Sequence, residues 1–428
     1  LAAARFAGQP ADLKQIAADA EVDAIVSGTL LSSGDRIRVS AQLVEAPSGT
    51  VMCSETAEIT LGDIFQLQDE LVRRIVEALK VPLTSRDHRA LGHDVPASPE
   101  AYELYLRANK LATEAEHWTI ARDLYLQCVE RDPGYAPAWA RLGRIHRVLA
   151  KFGLVPDTEG ERRLADEAFR RALELNPDLS VAHFLYTALE VDDGRAEASM
   201  VRLLNRLKER SEDPELLAGL VLACRYCGLL EASVAAHEEA VRIDPSIRTS
   251  VAHSFYLLGD YERAIATDDE ETRYLTFMSL LHLGRHEEAT ALSETSLSRS
   301  RKSGLLQIVR LILAVQTGDR VLAAEAARKS LALSNVFTDP EGFYYWGLSL
   351  AAVGEHAFAL DMFGRAISKG FSCDRALVIE PWLDSIRADP EFIRLLRIAE
   401  ERRRQSAAAF ASAGGDRLLP ISAPAQAR

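Results

Sequence analysis

The chain has little aromatic content, few cysteines and no excess of basic residues. Aromatic residues make up 7% of its 428 residues, and the five cysteines form no dense framework. Such sparse cysteines fit either a reducing compartment or simple burial in a core. The net charge of −13 argues against general nucleic-acid binding, because neutralising phosphates requires a basic surface. We therefore expect no nucleic-acid partner for this chain.

Long apolar runs are also missing from the sequence. The richest windows, 216–236 and 305–316, are broken by Arg225, Glu231 and Arg310. They are typical of buried helices and not of membrane spans. The chain begins with Leu1 and shows no signal peptide, so we expect the carboxy-terminal part of a longer protein. A cytoplasmic location is favoured, and a periplasmic one requires a membrane segment upstream.

Motifs for catalysis, phosphate binding and metal binding are absent. No Walker-type loop occurs, and no Gly-x-Gly-x-x-Gly follows a predicted strand. Cys224 and Cys227 have a metal-like spacing without a second pair, which favours two core thiols. His282 and His286 flank Gly284, which breaks the helix that a zinc site would need. We predict no catalytic residue, no cofactor and no metal in this chain.

Residues 1–83 alternate between helical and strand patterns. Three stretches are β-branched or alternate apolar and polar residues, as strands do: 23–31, 36–44 and 50–59. Stretches with helical spacing precede and follow them, at 11–20 and 61–79. The order helix–strand–strand–strand–helix predicts a small α/β domain. A polar linker, 84–99, separates it from the rest of the chain.

The region 100–371 repeats a helical hairpin. Its clearest copy combines small residues where two helices approach, large ones between them and a closing proline: Trp139, Leu142, Gly143, Ala165, Phe169, Ala172 and Pro177. Six glycines that we place in inter-helix turns follow at gaps of 25 to 36 residues: Gly194, Gly228, Gly259, Gly284, Gly318 and Gly354. A unit of about 34 residues explains most of these gaps. We predict about eight hairpins, with an unrelated helical bundle as the alternative.

The spacing also predicts where the repeats are irregular. Four prolines are placed at helix ends: Pro133, Pro177, Pro214 and Pro245. The long gap between the first two predicts an insertion at 151–160, and the repeat near Tyr261 is short. Seven residues restore the pattern near its end: Phe343, Trp346, Gly347, Gly354, Ala359, Phe363 and Ala366.

These residues resemble two known modules. The hairpins resemble the tetratricopeptide repeat, an α-solenoid whose single units cannot bury their own apolar faces. The amino-terminal pieces 17–24, 36–42 and 63–70, with Gly28 and Leu30, resemble the TolB-like domain. In bacterial signalling proteins that domain precedes such repeats in Ser/Thr kinases, class III nucleotide cyclases and winged-helix regulators. The resemblance implies a mainly α fold: a small α/β domain and then an α-solenoid.

The end of the chain resembles the terminal cap of the same proteins. In the segment 372–404, Trp382 and Phe392 are expected to cover the open apolar end of the solenoid. Beyond it, the residues 405–428 are rich in Ala, Ser, Gly and Pro and predict a disordered tail.

The first helices of the hairpins carry a candidate peptide-binding groove. Aligning the repeats places six residues there: Lys110, Arg141, Arg144, Arg147, Arg225 and Tyr344. A basic groove suits an acidic peptide or a carboxylate terminus. Alternatively, these arginines pair with acidic residues of neighbouring repeats. The expected function is a non-catalytic scaffold or regulatory region that binds protein or peptide partners. The alternatives are the regulatory part of a larger enzyme, a Ser/Thr kinase first and a cyclase second, or of a winged-helix regulator.

Overall fold

The computed structural model describes residues 15–17, 22–33, 36–46, 48–60, 95–267, 273–299, 303–333, 339–419 and 421. The predicted helix 61–79 lies outside these residues, and of the predicted helix 11–20 only 15–17, which are helical, are described. The chain divides into two compact units. The first holds residues 1–139 and 171–178, and the second holds 140–170 and 179–428.

The three predicted strands are confirmed. They are β1 (Ala24–Ser33), β2 (Arg36–Glu45) and β3 (Thr50–Thr60), and they form an antiparallel sheet in that order. Strict alternation in β2 gives the sheet an apolar face, on which Leu43 is buried. The register between β2 and β3 shifts after Leu43, so that the adjacent Val44 is buried as well.

Helices make up most of the rest of the described chain. The first ten helices are α1 (Pro99–Leu111), α2 (Trp118–Arg131), α3 (Ala136–Lys151), α4 (Thr158–Leu175), α5 (Ser180–Asp192), α6 (Ala196–Leu207), α7 (Pro214–Tyr226), α8 (Leu230–Ile243), α9 (Val251–Leu257) and α10 (Tyr261–Ala266). The next nine are α11 (Arg273–His282), α12 (His286–Arg299), α13 (Ser303–Thr317), α14 (Arg320–Leu333), α15 (Pro340–Ala352), α16 (His356–Ser368), α17 (Asp374–Ile379), α18 (Pro390–Ser412) and α19 (Gly415–Leu418). Short 3₁₀ helices lie at Ala115–His117 and Pro381–Ile386.

Consecutive helices pair as eight hairpins, from α1–α2 to α15–α16, which confirms the predicted fold class. The chain is mainly α, an array of the α-solenoid class that follows a small three-stranded sheet. The predicted insertion separates α3 from α4, and the predicted short repeat is α9–α10, with helices of seven and six residues.

The six predicted turn glycines are confirmed by their backbone. Each has a positive φ, between 66° and 87°, which side chains other than glycine rarely tolerate. Gly228 is constrained twice, because a Cβ there would also lie 2.3 Å from the carbonyl oxygen of Ser372.

One proline prediction is wrong. Pro214 does not end a helix but occupies the first position of α7. The reason is the preceding Asp213, whose side chain accepts hydrogen bonds from the backbone N–H groups of Glu215 and Leu216. An acidic cap followed by proline is a helix start, since the proline lacks a donor where none is needed. Pro133, Pro177 and Pro245 do follow the ends of helices.

The carboxy-terminal tail prediction is also wrong for residues 405–419. Helix α18 continues to Ser412, and α19 follows it. The alanines of 407–411 suggest low complexity, but alanine is the strongest helix former. In addition, Phe410 and Leu419 are buried, and the Ser406 hydroxyl donates to Glu197 on α6 at 2.9 Å. Residues 422–428 lie outside the described part of the chain.

Helix α15 is the most enclosed helix of the second unit. Residues 340–351 are all buried, including the large side chains of Phe343, Tyr345 and Trp346. A helix that is apolar around its whole circumference must lie inside a core. The last hairpin is therefore enclosed by other helices and is not an exposed terminal repeat. The first turn of α15 carries the candidate site.

Candidate functional site

Two carboxylates mark the start of α15. Asp339 is the N-cap, and its side chain accepts a hydrogen bond from the backbone N–H of Glu341 at 3.0 Å. The same carboxylate lies 2.7 Å from the Lys151 ammonium of α3, and it accepts a hydrogen bond from the Tyr226 hydroxyl of α7 at 2.9 Å. One cap thus joins three helices that are far apart in sequence.

Glu341 is bound by Arg225 of α7. The guanidinium donates from Nε and Nη2 to the two carboxylate oxygens, at 2.9 and 3.1 Å. Its Nη1 donates to the carbonyl oxygen and hydroxyl of Ser250, both at 2.9 Å. The Arg225 side chain is only 1% exposed. Such a two-pronged pair fixes both distance and orientation, as a lysine at this position would not.

Electrostatics keep both carboxylates ionised. Burial alone would raise the pKa of Glu341, but Arg225 and His253 outweigh it and hold that pKa well below its usual value. Burial likewise opposes ionisation of Asp339, and the Lys151 ammonium more than compensates, so that its pKa is also lowered. The His253 Nδ1 atom lies 3.0 Å from Glu341 Oε1. The start of α15 therefore carries two ionised carboxylates, each paired with a cation from an earlier helix.

A third acid, Asp192 of α5, contacts two cations of α3. Arg147 Nε donates to Asp192 Oδ2 at 2.7 Å, and Lys151 Nζ lies 3.9 Å from the other oxygen of the same carboxylate. Burial lowers the pKa of Arg147, but Asp192 raises it by more. We call the set of Arg147, Lys151, Asp192, Arg225, Asp339 and Glu341 the charged cluster. Its positive members come from first helices of hairpins, and two of its acids come from the start of α15.

The predicted groove residues do not form one open surface. Arg147 and Arg225 belong to the charged cluster and are each paired with a carboxylate of another hairpin. Tyr344 is buried, with its ring centroid 5.4 Å from that of Phe371. Arg141 and Arg144 are partly exposed on α3, and Arg141 Nε has no hydrogen-bond partner among the described residues. Lys110 is exposed on α1, in the first unit.

The sequence interpretation missed Lys151, Tyr226, His253, Asp339 and Glu341. A signal for two of them was present. Glu341 is the only charged residue of the otherwise apolar α15, and Arg225 is the only cation of the apolar α7. A buried charge in an apolar helix requires a partner of opposite charge, because burying it alone is costly. Two such helices of opposite sign are candidates for pairing.

Aromatic rings pack around Tyr345, one turn after Glu341. The ring centroid of Tyr345 lies 5.7 Å from that of His253, 5.8 Å from Tyr256 and 5.4 Å from Tyr274. These rings come from α9, α11 and α15, and their edge contacts add to the burial of apolar area. The start of α15 is thus held by ion pairs at its carboxylates and by aromatic packing one turn later.

The predicted cap segment contacts more than the last hairpin. Phe392 packs near Phe363 of α16, with ring centroids 6.4 Å apart. The Trp382 ring, in contrast, packs on His282 of α11 at 4.6 Å, and His282 Nε2 lies 3.2 Å from Glu380. The segment therefore joins the last hairpin to an earlier one.

Three cysteines of the second unit are buried thiols. Cys224, Cys227 and Cys373 are free, and burial raises the pKa of each, that of Cys227 to about 12. Low thiolate content makes them unreactive. Across the described ranges, no group of three His, Cys, Asp or Glu residues has the arrangement of a metal site. Among the same residues, no helix is both long enough and apolar enough to cross a membrane.

Comparisons with known proteins cover parts of the chain. The model of the family described as FlgO protein matches residues 11–64. A protein from Rhizobium meliloti (strain 1021) named "Putative adenylate cyclase 3" is 32% identical over 142 residues. The match covers 33% of this chain and 24% of that relative, so the two share about a quarter of the relative's length.

The chain is also similar to two solved structures. One is a chain of the APC/C hetero-tetramer Cut9–Hcn1, at 13% identity and a TM-score of 0.40, with 74% of this chain and 76% of that chain covered. The other is the TPR domain of P58(IPK), at 16% identity and a TM-score of 0.22, with 76% and 99% covered.

Proposed function

We propose that this chain is a non-catalytic, protein-binding regulatory region of a bacterial signalling protein. The observation that carries the proposal is the charged cluster. Cations on the first helices of several hairpins recognise two carboxylates in the first turn of a helix, and aromatic rings receive the following turn. The array therefore already binds a helix by its acidic start, which is one of the ways in which proteins recognise peptides.

The amino-terminal region supports a sensor or scaffold role within this proposal. We assign residues 1–83 to a TolB-like domain, on the resemblance of its sequence pieces and the β1–β2–β3 order of its sheet. The FlgO match lies over the same residues. We place the protein partners on the array, with Arg141 and Arg144 as its accessible basic residues and Lys110 as a further candidate on α1.

The relative's name favours a nucleotide cyclase as the associated output. The 142-residue match to the protein named "Putative adenylate cyclase 3" supports this candidate over the Ser/Thr kinase and the winged-helix regulator. Under this proposal the chain regulates cyclase activity and does not carry it.

The proposal can be tested by enzyme assays and by a reconstitution experiment. We expect the purified chain, incubated with ATP or GTP and Mn²⁺, to yield no cyclic nucleotide and no phosphorylated product. When the chain is added to the separately purified catalytic region of a matching cyclase, we expect a change in the rate of cyclic AMP formation of several-fold. We expect Arg144→Ala to reduce this change in rate. The matched control Arg171→Ala, altered at an exposed pair with Glu174, should leave it as in the wild type. Cyclic nucleotide made by the chain alone would contradict the proposal.

A further inference from the structure

Helix α15 occupies the array in the way that a bound helix would. Its contacts reach residues distant in sequence: Glu341 binds Arg225, and Asp339 binds Tyr226 and Lys151. Directly after the last hairpin, the backbone N–H of Ser372 donates to the carbonyl oxygen of Tyr226 at 2.9 Å. The hairpin α15–α16 therefore packs across α7 as well as beside its neighbours.

The polar groups at this position converge on two carboxylates. We call Lys151, Arg225, Tyr226 and His253 the receptor surface. Lys151 and Tyr226 contact Asp339, whereas Arg225 and His253 contact Glu341. Four groups from three helices thus recognise two acids that are two residues apart at a helix start. Such convergence specifies a ligand, whereas apolar packing alone accepts many sequences.

We propose that the start of α15 is an internal ligand, which closes the receptor surface against a protein partner of the same chemistry. That partner presents two carboxylates in the first turn of a helix that continues with aromatic residues. The inference rests on the proposed function and deepens it, since it names the class of partner and the contact that excludes it. Partner binding then requires α15 to leave the receptor surface.

The proposal has a quantitative consequence. If the receptor surface is open only in a small fraction of molecules, the apparent dissociation constant of a partner is raised by the inverse of that fraction. Neutralising the carboxylates of α15 removes the internal ligand's charges and leaves the receptor surface intact. The same neutralisation on a free peptide removes the charges that the receptor surface recognises.

The experiment uses the full chain and a peptide of its own sequence. The double variant Asp339→Asn and Glu341→Gln keeps the shape of both side chains, and asparagine still caps a helix. The probe is a fluorescein-labelled synthetic peptide of residues 337–353, measured by fluorescence anisotropy. We expect the variant chain to bind this peptide at least tenfold more tightly than the wild-type chain does. A peptide with the same two substitutions should bind the variant at least tenfold more weakly than the unmodified peptide.

A matched control and a second measurement complete the test. Glu391→Gln alters an exposed carboxylate paired with Arg394, and it should leave peptide binding unchanged. In the wild-type chain, hydrogen exchange should show α15 amides opening more readily than those of α7. Equal affinity of the two chains for the peptide would overturn the inference. If the double variant does not fold, equal protection of α15 and α7 in the wild type overturns it. The enzyme and reconstitution assays do not depend on peptide binding or on hydrogen exchange. They therefore test the proposed function separately from this inference.

Discussion

Glycine and phenylalanine form the contact that brings the helices of a hairpin together. In the last hairpin, a Cβ added to Gly347 would lie 2.6 Å from Cε1 of Phe363, and in the second hairpin a Cβ on Gly143 would lie 3.0 Å from the ring of Phe169. Both phenylalanines are buried. The helices can approach this closely only because no side chain separates them at the glycine.

We expect Gly347→Ala to lower the free energy of unfolding by about 1–3 kcal/mol, because it overfills a packed core. Urea unfolding followed by circular dichroism measures the change. The matched control is Gly364→Ala on α16, where the nearest atom to an added Cβ is Leu395 Cδ2 at 3.9 Å. There alanine fits and should raise the stability by up to about 1 kcal/mol through its helix propensity. A Gly347→Ala variant as stable as the wild type would show that the helices adjust.

At the scale of elements, α18 decides how far the folded chain extends. The helix begins at the Asp389 cap and continues for 23 residues, past the point where composition predicts disorder. Its last turns are held from outside, by the burial of Phe410 and by the Ser406 bond to α6. Composition alone does not predict that these turns are helical. A helix of alanine and serine gains its stability from the packing of a few larger residues.

We expect Phe410→Ala to destabilise the protein by about 3 kcal/mol or more, as truncating a buried phenylalanine does. In a disordered tail the same change would have no effect on the free energy of unfolding. The exposed Gln405, one turn earlier on the same helix, provides the control, and Gln405→Ala should stay within about 0.5 kcal/mol of the wild type. Urea unfolding of the three chains side by side gives both values. If the unfolding curves of Phe410→Ala and the wild type coincided, residues 405–412 would belong to a disordered tail.

At the scale of the second unit, the Arg225–Glu341 pair joins α7 to α15 across more than a hundred residues of sequence. An open repeat array is held by contacts between neighbouring repeats only. Here the last hairpin also contacts earlier hairpins, through Lys151, Tyr226 and Arg225. Contacts of this kind couple distant repeats, and we expect them to make the unit unfold more cooperatively than an open array.

We expect Arg225→Met to cost about 3–5 kcal/mol, because it leaves the Glu341 carboxylate buried without its partner. Combining Arg225→Met with Glu341→Leu removes both charges and should recover most of the loss, since two apolar residues of similar volume satisfy the same space. Denaturant unfolding measures the free energy of unfolding of the wild type and of the single and double variants. Arg394→Ala, at the exposed pair with Glu391, should leave the unfolding curve close to that of the wild type. A double variant no more stable than Arg225→Met would indicate that Glu341 acts through other partners.

The local sequence determined the elements and their pairing into hairpins. Strict alternation predicts β2, and the spaced glycines predict the turns that the structure confirms. These features depend on residues within one repeat of each other. Their physical causes, backbone conformation and the packing of adjacent helices, act over the same short distances and therefore leave a periodic trace.

The tertiary structure alone decided which distant hairpins meet. The sequence predicts the first-helix arginines on one groove, but only the path of the array brings Arg225 to Glu341 and Lys151 to Asp339. The rotation from one repeat to the next is small, and its sum over several repeats determines what the last hairpin contacts. A sequence pattern within one repeat does not reveal the rotation summed over several repeats. For this reason the sequence identified the hairpins, whereas the enclosed position of α15 emerged only from the folded chain.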